Sequence, residues 1–445
     1  MKDILKKHLY RPGALFLILV LFALSNMAGI AARPKTISFW HYWTGVEGDA
    51  IQKIVDEFNQ THKDFQVKTV PYNDYDKHHQ ELLSAINNGK PPDVSVVGGD
   101  YLPEWVAGNA LVSLDGLIQK TGFGLGNFYA PSLRIGSVGG RIYGLALTMD
   151  TYALLWNKDL FLKAGLDPEK PPRTIAELDA MAAKLTVKKA DGSIQQLGFL
   201  PNWPWGHFPM IAWAFGGSLS DAASGRITAN DPNTAAALAW EAQYYERLGR
   251  NELSAFRYGF GFYQTSGNAF YTGQVAIMID CQWQPTFIRY YAPKDFRWGA
   301  APFPGLEDTP RLYGQTRVNA TCLCIPAGSK NQGQAWEFIS WLEQPERVGR
   351  FNAVTLNVPP FRSLGRDPNY TKDPRFTVFM RLLENPNLQV RPEMPLVNRY
   401  LGELGLAEQR AVVLNDRTPR QALNGVQRTI QAELDKLKTG KVSGK

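Results

Sequence analysis

Thr36-Ile-Ser-Phe-Trp-His41 begins a segment in which strand and helix patterns alternate as far as Gly99. This apolar run predicts a strand, and residues 49–60, whose apolar side chains recur at helical spacing, predict the helix that follows. The pattern continues through a second strand, a second helix and a third strand, predicted at 67–70, 75–88 and 93–97. Strands that alternate with helices indicate an α/β fold with a parallel sheet, in which ligands bind beyond the carboxyl ends of the strands.

The rest of the chain is rich in helical patterns. Further helices are predicted at residues 150–164, 174–185, 231–247, 334–342 and 418–437. Thr174 and Glu177 have the spacing of a capping box, and Pro419 occupies the first turn of the last helix. A length of 445 residues is about three times that of a typical domain, which favours two domains. Because no long linker separates the patterns, we expect the domains to be joined by short crossings.

Composition and charge exclude several classes of protein. Hydrophobic residues make up 44% and charged residues 20% of the chain, so it can bury a core and is not disordered. The formal net charge is +7, and part of it comes from the four Lys and Arg residues that precede residue 33. Since Lys and Arg form no cluster in the remainder, the sequence argues against a nucleic-acid partner.

The first 32 residues have the order of a secretory signal. A basic stretch precedes an apolar run at 14–24, and small residues follow as far as Ala32. We expect cleavage after Ala31 or Ala32 and a periplasmic protein, without lipid modification because no cysteine follows the apolar run. An uncleaved membrane anchor stays open, because residues 13–32 are long enough to span a bilayer.

The sequence carries no motif for catalysis, metal binding or cofactor binding. Phosphate-binding loops, nucleophile elbows, zinc-protease pairs and EF-hand loops are absent. The three cysteines and six histidines lack ligand spacing, and Cys322 and Cys324 are predicted as buried residues of one strand. We therefore expect no metal, no cofactor and no enzyme activity. A pair of carboxylates cannot be placed in space from sequence, so a glycosidase-like dyad stays open.

Aromatic residues make up 12% of the chain, and many fall in predicted loops. Trp43 follows the first strand, Trp203 and Trp205 lie among prolines and a glycine, and Trp283 follows an apolar strand predicted at 275–279. An aromatic ring offers a flat apolar face to a sugar, while nearby carboxylates and amides pair with its hydroxyls. Any one tryptophan could equally fill the core. The prolines and glycine around the middle pair, however, exclude a regular element there.

Five segments, taken in chain order, resemble those of a known family. They cover residues 37–45, 92–100, 143–168, 216–232 and 270–283. The most specific is Trp156-Asn-Lys-Asp-Leu-Phe161, followed by Ala164-Gly-Leu-Asp-Pro168. Over about residues 36 to 440 the chain is thereby similar to the extracellular solute-binding proteins of carbohydrate ABC transporters (family 1), the group that includes maltose-binding protein.

The resemblance implies an α/β, two-lobe periplasmic-binding-protein fold (type II) with the ligand cleft between the lobes. The chain would cross between the lobes three times, near residues 148, 311 and 356. Lobe one would comprise 36–148 and 312–356, and lobe two 149–311 and 357–440. Three short crossings form a hinge that bends without unfolding either core, so ligand binding would close the lobes.

The resemblance also implies a function. The chain would bind a carbohydrate, a di- or oligosaccharide, and deliver it as a monomer to the permease subunits of an ABC transporter at the membrane. Two alternatives stay open. One is an exported glycoside-acting enzyme that uses two carboxylates of the cleft, and the other is a receptor for a non-sugar solute such as glycerol 3-phosphate, which would need a cationic pocket.

The candidate ligand-binding residues share positions on loops at the expected cleft. They are His41, Trp43, Asp100, Asp150, Trp203, Trp205, Asp280, Trp283, Arg317 and Asn319. The tryptophans are candidate stacking platforms, the aspartates candidate acceptors for sugar hydroxyls, and the arginine and asparagine candidate donors. Cys281-Gln282 stands where the family usually has Gly-Pro before the tryptophan. Without the glycine, positive φ is no longer easily reached, so the orientation of the Trp283 ring stays open.

Overall fold

The computed structural model describes residues 34–221, 224–258 and 263–439, so the predicted signal at 1–32 lies outside the described residues. The strands are β1 Lys35–His41, β2 Phe65–Pro71, β3 Val94–Gly98, β4 Ser137–Val138, β5 Arg141–Ile142, β6 Gly144–Asn157, β7 Val187–Lys188, β8 Ile194–Phe199, β9 Ser220–Asp221, β10 Arg226–Ile227, β11 Val275–Cys281, β12 Trp298–Ala301 and β13 Val318–Cys324.

Helices cover much of the remainder. They are α1 Gly45–Thr61, α2 Tyr75–Asn87, α3 Leu102–Ala107, α4 Asp115–Thr121, α5 Ala130–Ile135, α6 Lys158–Lys163, α7 Ile175–Leu185, α8 Phe208–Ala214, α9 Pro232–Leu248, α10 Arg250–Tyr258, α11 Gln284–Tyr291, α12 Gln332–Leu342, α13 Pro345–Thr355, α14 Pro368–Thr371, α15 Pro374–Leu382, α16 Val397–Glu408 and α17 Pro419–Lys438. A π-helical turn, Gln409–Leu414, continues α16. Among the described residues, no helix combines the length and hydropathy needed to cross a bilayer.

The main sheet has nine strands and two halves that share the long strand β6. Its order is β2-β1-β3-β13-β6-β11-β8-β7, with β12 also paired to β6. The first part of β6, as far as Thr151, pairs with β13, and the last part, from Tyr152, pairs with β11 and β12. A single strand of 14 residues therefore connects one half of the molecule to the other.

The sheet is mixed, whereas the alternating pattern near the N-terminus predicted a parallel one. β1 runs parallel to both β2 and β3, as that pattern indicates. β13, however, lies antiparallel to both β3 and β6. β13 follows the strands of the second half along the chain and then enters the first half. Because no crossover helix precedes it, it lies antiparallel to its neighbours.

The helix predicted at 150–164 is wrong for its first half. β6 continues to Asn157, and α6 begins only at Lys158. Residues 151–157 are all buried, so they form a continuous apolar run whose periodicity cannot separate a strand from a buried helix. The Asn157 side chain accepts hydrogen bonds from the backbone N–H groups of Asp159 and Leu160, which fixes the start of α6.

Three of the other predicted helix starts are confirmed by their capping groups. Thr174 and Glu177 form both hydrogen bonds of a capping box at α7. Asp231 accepts backbone hydrogen bonds at the start of α9, and Thr418 forms a capping box with Gln421 at α17. Short polar side chains therefore mark these ends locally, independently of tertiary packing.

Each half of the sheet is buried between helices. Ile37 and Phe39 of β1 and Val96 of β3 are fully buried in the first half, and Leu154 and Ile277 are fully buried in the second. All three cysteines are free and buried, which confirms the prediction for Cys322 and Cys324 in β13. This packing fixes the two ends of β6, so its middle lies where the two cores meet.

Candidate functional site

A polar cluster, defined here as Asp100, Asp150, Arg317 and Asn319, forms around the middle of β6. Asp100 follows β3 at its carboxyl end, and Asn319 Nδ2 donates to Asp100 Oδ2 over 3.2 Å. Arg317 Nη2 lies 3.7 Å from the same oxygen. Asp150 of β6 is the register partner of Asn319 in β13. Three strands thus bring these four of the predicted residues together.

A second arginine, Arg391, completes this cluster and was not among the sequence candidates. Its side chain is only 6% exposed, and Nε lies 3.7 Å from Asp100 Oδ1. The Nη2 atom donates to the carbonyl oxygens of Gly99 and Ile135. Asp100 is therefore held between two guanidinium groups, one of which is anchored to backbone.

Burial and hydrogen bonding act in opposite directions on Asp150. Burial raises the pKa of this carboxyl, while a hydrogen bond from Gln282 and the charge of Arg317 lower it. Gln282 Nε2 donates to Asp150 Oδ1 over 3.0 Å. The sequence candidates did not include Gln282, although its replacement of the family's proline was visible in the sequence.

An aromatic cluster, defined here as Trp205, Tyr263, Asp280 and Trp283, lies at the end of β11. Asp280 is fully buried and accepts hydrogen bonds from Tyr263 Oη at 2.6 and 2.7 Å and from Gln284 Nε2 at 2.7 Å. Trp283 Nε1 donates to Tyr263 Oη over 2.9 Å, and the Trp205 ring lies edge-on to the Tyr263 ring at 5.0 Å. Burial raises the pKa of Asp280 to about 7. Tyr263 therefore ties both tryptophans to one carboxyl.

Tyr152 connects the two clusters. It is the first residue of β6 in the second half of the sheet, where it pairs with Cys281. The Arg317 guanidinium carbon lies 5.9 Å from the centre of the Tyr152 ring, and the Trp283 ring lies 6.4 Å away on an edge-to-face angle. Polar groups and aromatic faces thus border one region, and Tyr152, like Tyr263 and Arg391, carried no sequence signal that distinguished it from core.

Besides Asp280, three further sequence candidates are buried, namely His41, Trp43 and Trp203. Trp43 is 4% exposed and packs edge-on against Phe351 at 4.8 Å, next to His41. Burial lowers the pKa of His41 to about 4, so the ring is neutral at pH 7. Trp203 is 7% exposed, whereas Trp205, two residues later, is 44% exposed. The exposed ring of this pair is therefore Trp205.

The arrangement is suited to holding hydroxyl groups. The polar cluster offers carboxylate acceptors with amide and guanidinium donors, and the aromatic cluster adds indole and phenol rings. Within residues 34–221, 224–258 and 263–439, no group of three or more His, Cys, Asp or Glu side chains is placed to hold a metal ion. The groups present can hold a ligand by hydrogen bonds and stacking.

Comparison with known proteins decides the family. The model of the family described as bacterial extracellular solute-binding protein matches residues 53–378. The chain is a bacterial extracellular solute-binding protein. Its fold is accordingly the α/β two-lobe fold of periplasmic binding proteins, with the ligand cleft between the lobes, which confirms the expectation from the sequence.

Relatives of this solute-binding protein include both sugar and non-sugar receptors. The sn-glycerol-3-phosphate-binding periplasmic protein UgpB of Yersinia pseudotuberculosis is 26% identical, over 89% of this chain and 92% of its own length. The structure of CpMnBP1 with mannobiose bound is 30% identical, with a TM-score of 0.75 over 88% of this chain and 98% of that one. The sugar-binding protein MalE from Xanthomonas citri has a TM-score of 0.77 at 21% identity, over 92% and 100% of the two chains, and so shows the fold alone.

Proposed function

We propose that this solute-binding protein binds a neutral carbohydrate, a di- or oligosaccharide, in the cleft between its lobes and delivers it to the permease of an ABC transporter. The observation that carries the proposal is the contact of the polar cluster with the aromatic cluster through Tyr152. A pyranose presents hydroxyls at its rim and an apolar face, and the two clusters match these two surfaces. The mannobiose bound to the relative at 30% identity supports the same class of ligand.

We assign roles at the ligand site to seven of the residues picked out in the sequence. Asp100, Asp150 and Asn319 are proposed to bind hydroxyl groups, with Arg317 as a further donor. Trp205 and Trp283 are proposed as stacking rings, with Asp280 holding Tyr263 between them. Exposure supports this division, because Trp205 keeps a large part of its surface accessible whereas His41, Trp43 and Trp203 do not.

The proposed lobes are 36–148 with 312–356, and 149–311 with 357–440. The change of pairing partners along β6 at Thr151 and Tyr152 supports a first crossing close to residue 148. The packing of α13 on α1 supports the return of 312–356 to lobe one, and the packing of α17 on α9 and α16 supports the place of the C-terminal segment in lobe two. A cleaved signal at 1–32 and a periplasmic monomer belong to the same proposal.

A carbohydrate fits the charges better than a phosphate ester. Asp100 neutralises part of the charge of Arg317 and Arg391, and the Asp150 carboxyl faces the same region. A phosphate group would therefore meet two carboxyl groups in addition to the guanidinium groups, whereas sugar hydroxyls can donate to the carboxylates. The local chemistry thus favours an uncharged polyol over sn-glycerol 3-phosphate.

The carboxyl groups are held in ways that support binding without turnover. Both oxygens of Asp280 accept hydrogen bonds from Tyr263, and Asp100 is held by two arginines and an amide. A general acid or nucleophile needs a carboxyl aimed at the reacting bond. The relatives compared above are likewise binding proteins of transporters.

Calorimetric titration of the mature protein with mannobiose, maltose and sn-glycerol 3-phosphate tests this function. We expect saturable binding of at least one disaccharide and no heat from the phosphate ester beyond that of dilution. Chromatography of each sugar after overnight incubation should return it intact. Binding of sn-glycerol 3-phosphate alone, or release of monosaccharide by the protein, would contradict the proposal.

A further inference from the structure

Gln282 is a fully buried polar side chain directly after β11. Both the oxygen and the nitrogen of its side-chain amide form hydrogen bonds. The Oε1 atom accepts hydrogen bonds from the Thr151 backbone N–H at 3.1 Å and from Cys281 Sγ at 2.5 Å. The Nε2 atom donates to Asp150 Oδ1 at 3.0 Å.

The same amide reaches a second segment. Gln282 Nε2 lies 3.4 Å from Asn357 Oδ1, and Asn357 Nδ2 donates to Glu47 Oε1 over 3.0 Å. Asp150 lies at the proposed first crossing, Asn357 directly after the proposed third crossing, and Glu47 in α1. One buried side chain therefore joins the end of β11 to two of the connections between the lobes.

We propose that Gln282 is a positioning residue that fixes the Asp150 carboxylate for the ligand and links it, through Asn357, to the third crossing. The inference rests on the proposed function in that Asp150 is taken as a ligand contact. Within the described part of the chain, Asp150 Oδ1 accepts from Gln282 while no hydrogen-bond donor reaches Oδ2. Gln282 thus fixes the orientation of the Asp150 carboxyl group.

The setting of Asp150 explains why a donor is needed. Arg317, directly before β13, supplies the nearby positive charge, while Asp100 after β3 and Glu47 of α1 supply negative charge. Burial also disfavours the ionised form of this carboxyl. A hydrogen bond to the ionised form offsets part of that penalty, so Gln282 lowers the pKa of Asp150 as well as orienting its carboxyl group.

Two variants separate positioning from simple packing. Gln282→Met keeps the length of the side chain and removes its polar atoms, whereas Gln282→Glu keeps an oxygen for the Thr151 N–H and removes the donor to Asp150. Gln315→Met is the matched control, because Gln315 is also fully buried and hydrogen-bonded, but to the backbone of Asn387 and Gln389. If Gln282→Met fails to fold, Gln282→Glu still carries the test.

The readout is the pKa of Asp150 in the ligand-free protein, followed by carbon-13 NMR of labelled aspartate and assigned from Asp150→Asn. We expect both Gln282 variants to raise the pKa of Asp150 and Gln315→Met to leave it unchanged. Mannobiose affinity should fall at least about tenfold in Gln282→Met, since a hydrogen bond to a charged group is worth about 1.5–3 kcal/mol.

An unchanged pKa of Asp150 in both Gln282 variants would overturn the inference, as would a shifted pKa with unchanged mannobiose affinity. The titration uses no ligand, so it is independent of the proposed function. If the wild-type protein bound no carbohydrate, the proposed function would fail, whereas the shift in the pKa of Asp150 would still decide whether Gln282 positions that carboxylate.

Discussion

Trp283 lies between a strand and a helix, and this location gives its ring two kinds of contact. It is the last residue before α11, directly after the buried pair Cys281-Gln282. Its indole N–H is satisfied by Tyr263 Oη, and its ring packs edge-on near Tyr152 while remaining partly exposed. A core tryptophan would be enclosed on all sides, so the remaining surface of Trp283 is available for stacking on a sugar.

Trp283→Ala should lower mannobiose affinity by about two orders of magnitude, because burying much of a ring is worth roughly 2–3 kcal/mol. The melting temperature without ligand should change little. Calorimetry gives the affinity, and thermal unfolding of the ligand-free variant gives the stability.

Trp240→Ala provides the matched control for that experiment. Trp240 lies in α9, is 5% exposed and donates its indole N–H to Asp179. Its truncation should lower the free energy of unfolding by about 3–5 kcal/mol and leave the affinity of the folded fraction unchanged. A Trp283 variant that behaves like Trp240→Ala would show that Trp283 belongs to the core.

At the residue scale the sequence predicted the polar cluster better than the aromatic residues. Asp100, Arg317 and Asn319 could be selected because they lie at strand ends, where backbone geometry brings side chains together. His41 and Trp43 also lie at a strand end but are buried, because a helix packs over them. Arg391 was missed because its neighbours at Gly99 and Ile135 are distant in sequence.

At the scale of elements, two buried carboxyl groups join α9 to α16. Glu241 of α9 is fully buried and Glu408, the last residue of α16, is 6% exposed. Burial raises the pKa of both groups and their proximity raises that of Glu241 further, while Asn202 and the charge of Arg257 lower that of Glu408. The contact is therefore favourable when the pair carries a proton and unfavourable when both groups ionise.

This pair should make the stability of the protein fall as pH rises. The pKa of Glu408 is raised from 4.5 to about 7. Its contribution to the free energy of unfolding is therefore fully present below pH 4.5 and is lost as pH rises through 7. Glu408→Gln cannot ionise and should melt at a higher temperature than the wild type at pH 8, by several degrees. Thermal unfolding of both proteins from pH 5 to 8 measures the effect.

The difference in melting temperature between Glu408→Gln and the wild type reports on the Glu241–Glu408 pair alone. Other groups, such as Asp280, whose pKa is also raised, contribute equally to both proteins. Glu246→Gln on α9 is the control, because Glu246 is exposed and should leave the pH dependence unchanged. Equal pH dependence in Glu408→Gln and the wild type would contradict a shared proton between α9 and α16.

Three helix starts were predictable because a side chain caps them, whereas the long strand was not predictable. Thr174, Asp231 and Thr418 mark helix starts through hydrogen bonds within three residues, so local sequence is sufficient. β6 was assigned to a helix beyond Asp150 because its residues are buried on both faces by partners far away in sequence. Its strand identity comes from that pairing and not from a local pattern.

At the scale of the whole molecule, the proposed function depends on how the two cores would move relative to each other. β6 passes through both halves of the sheet, so the polar cluster at its middle lies where movement would occur. The family resemblance predicted two lobes and a cleft, but contacts such as Gln282 with Asp150 depend on distances between elements, which sequence alone does not give. Ligand binding can shift the lobes only by its preference for the closed arrangement.

Small-angle X-ray scattering of the mature protein with and without saturating mannobiose tests the central claim, that a carbohydrate binds between the lobes and closes them. Trp283→Ala at the same sugar concentration is the control, since it should bind too weakly to close. We predict a smaller radius of gyration for the wild type with sugar than without it, and no such change in the variant. Identical radii for the wild type in both conditions, at a concentration where calorimetry shows saturation, would contradict the account.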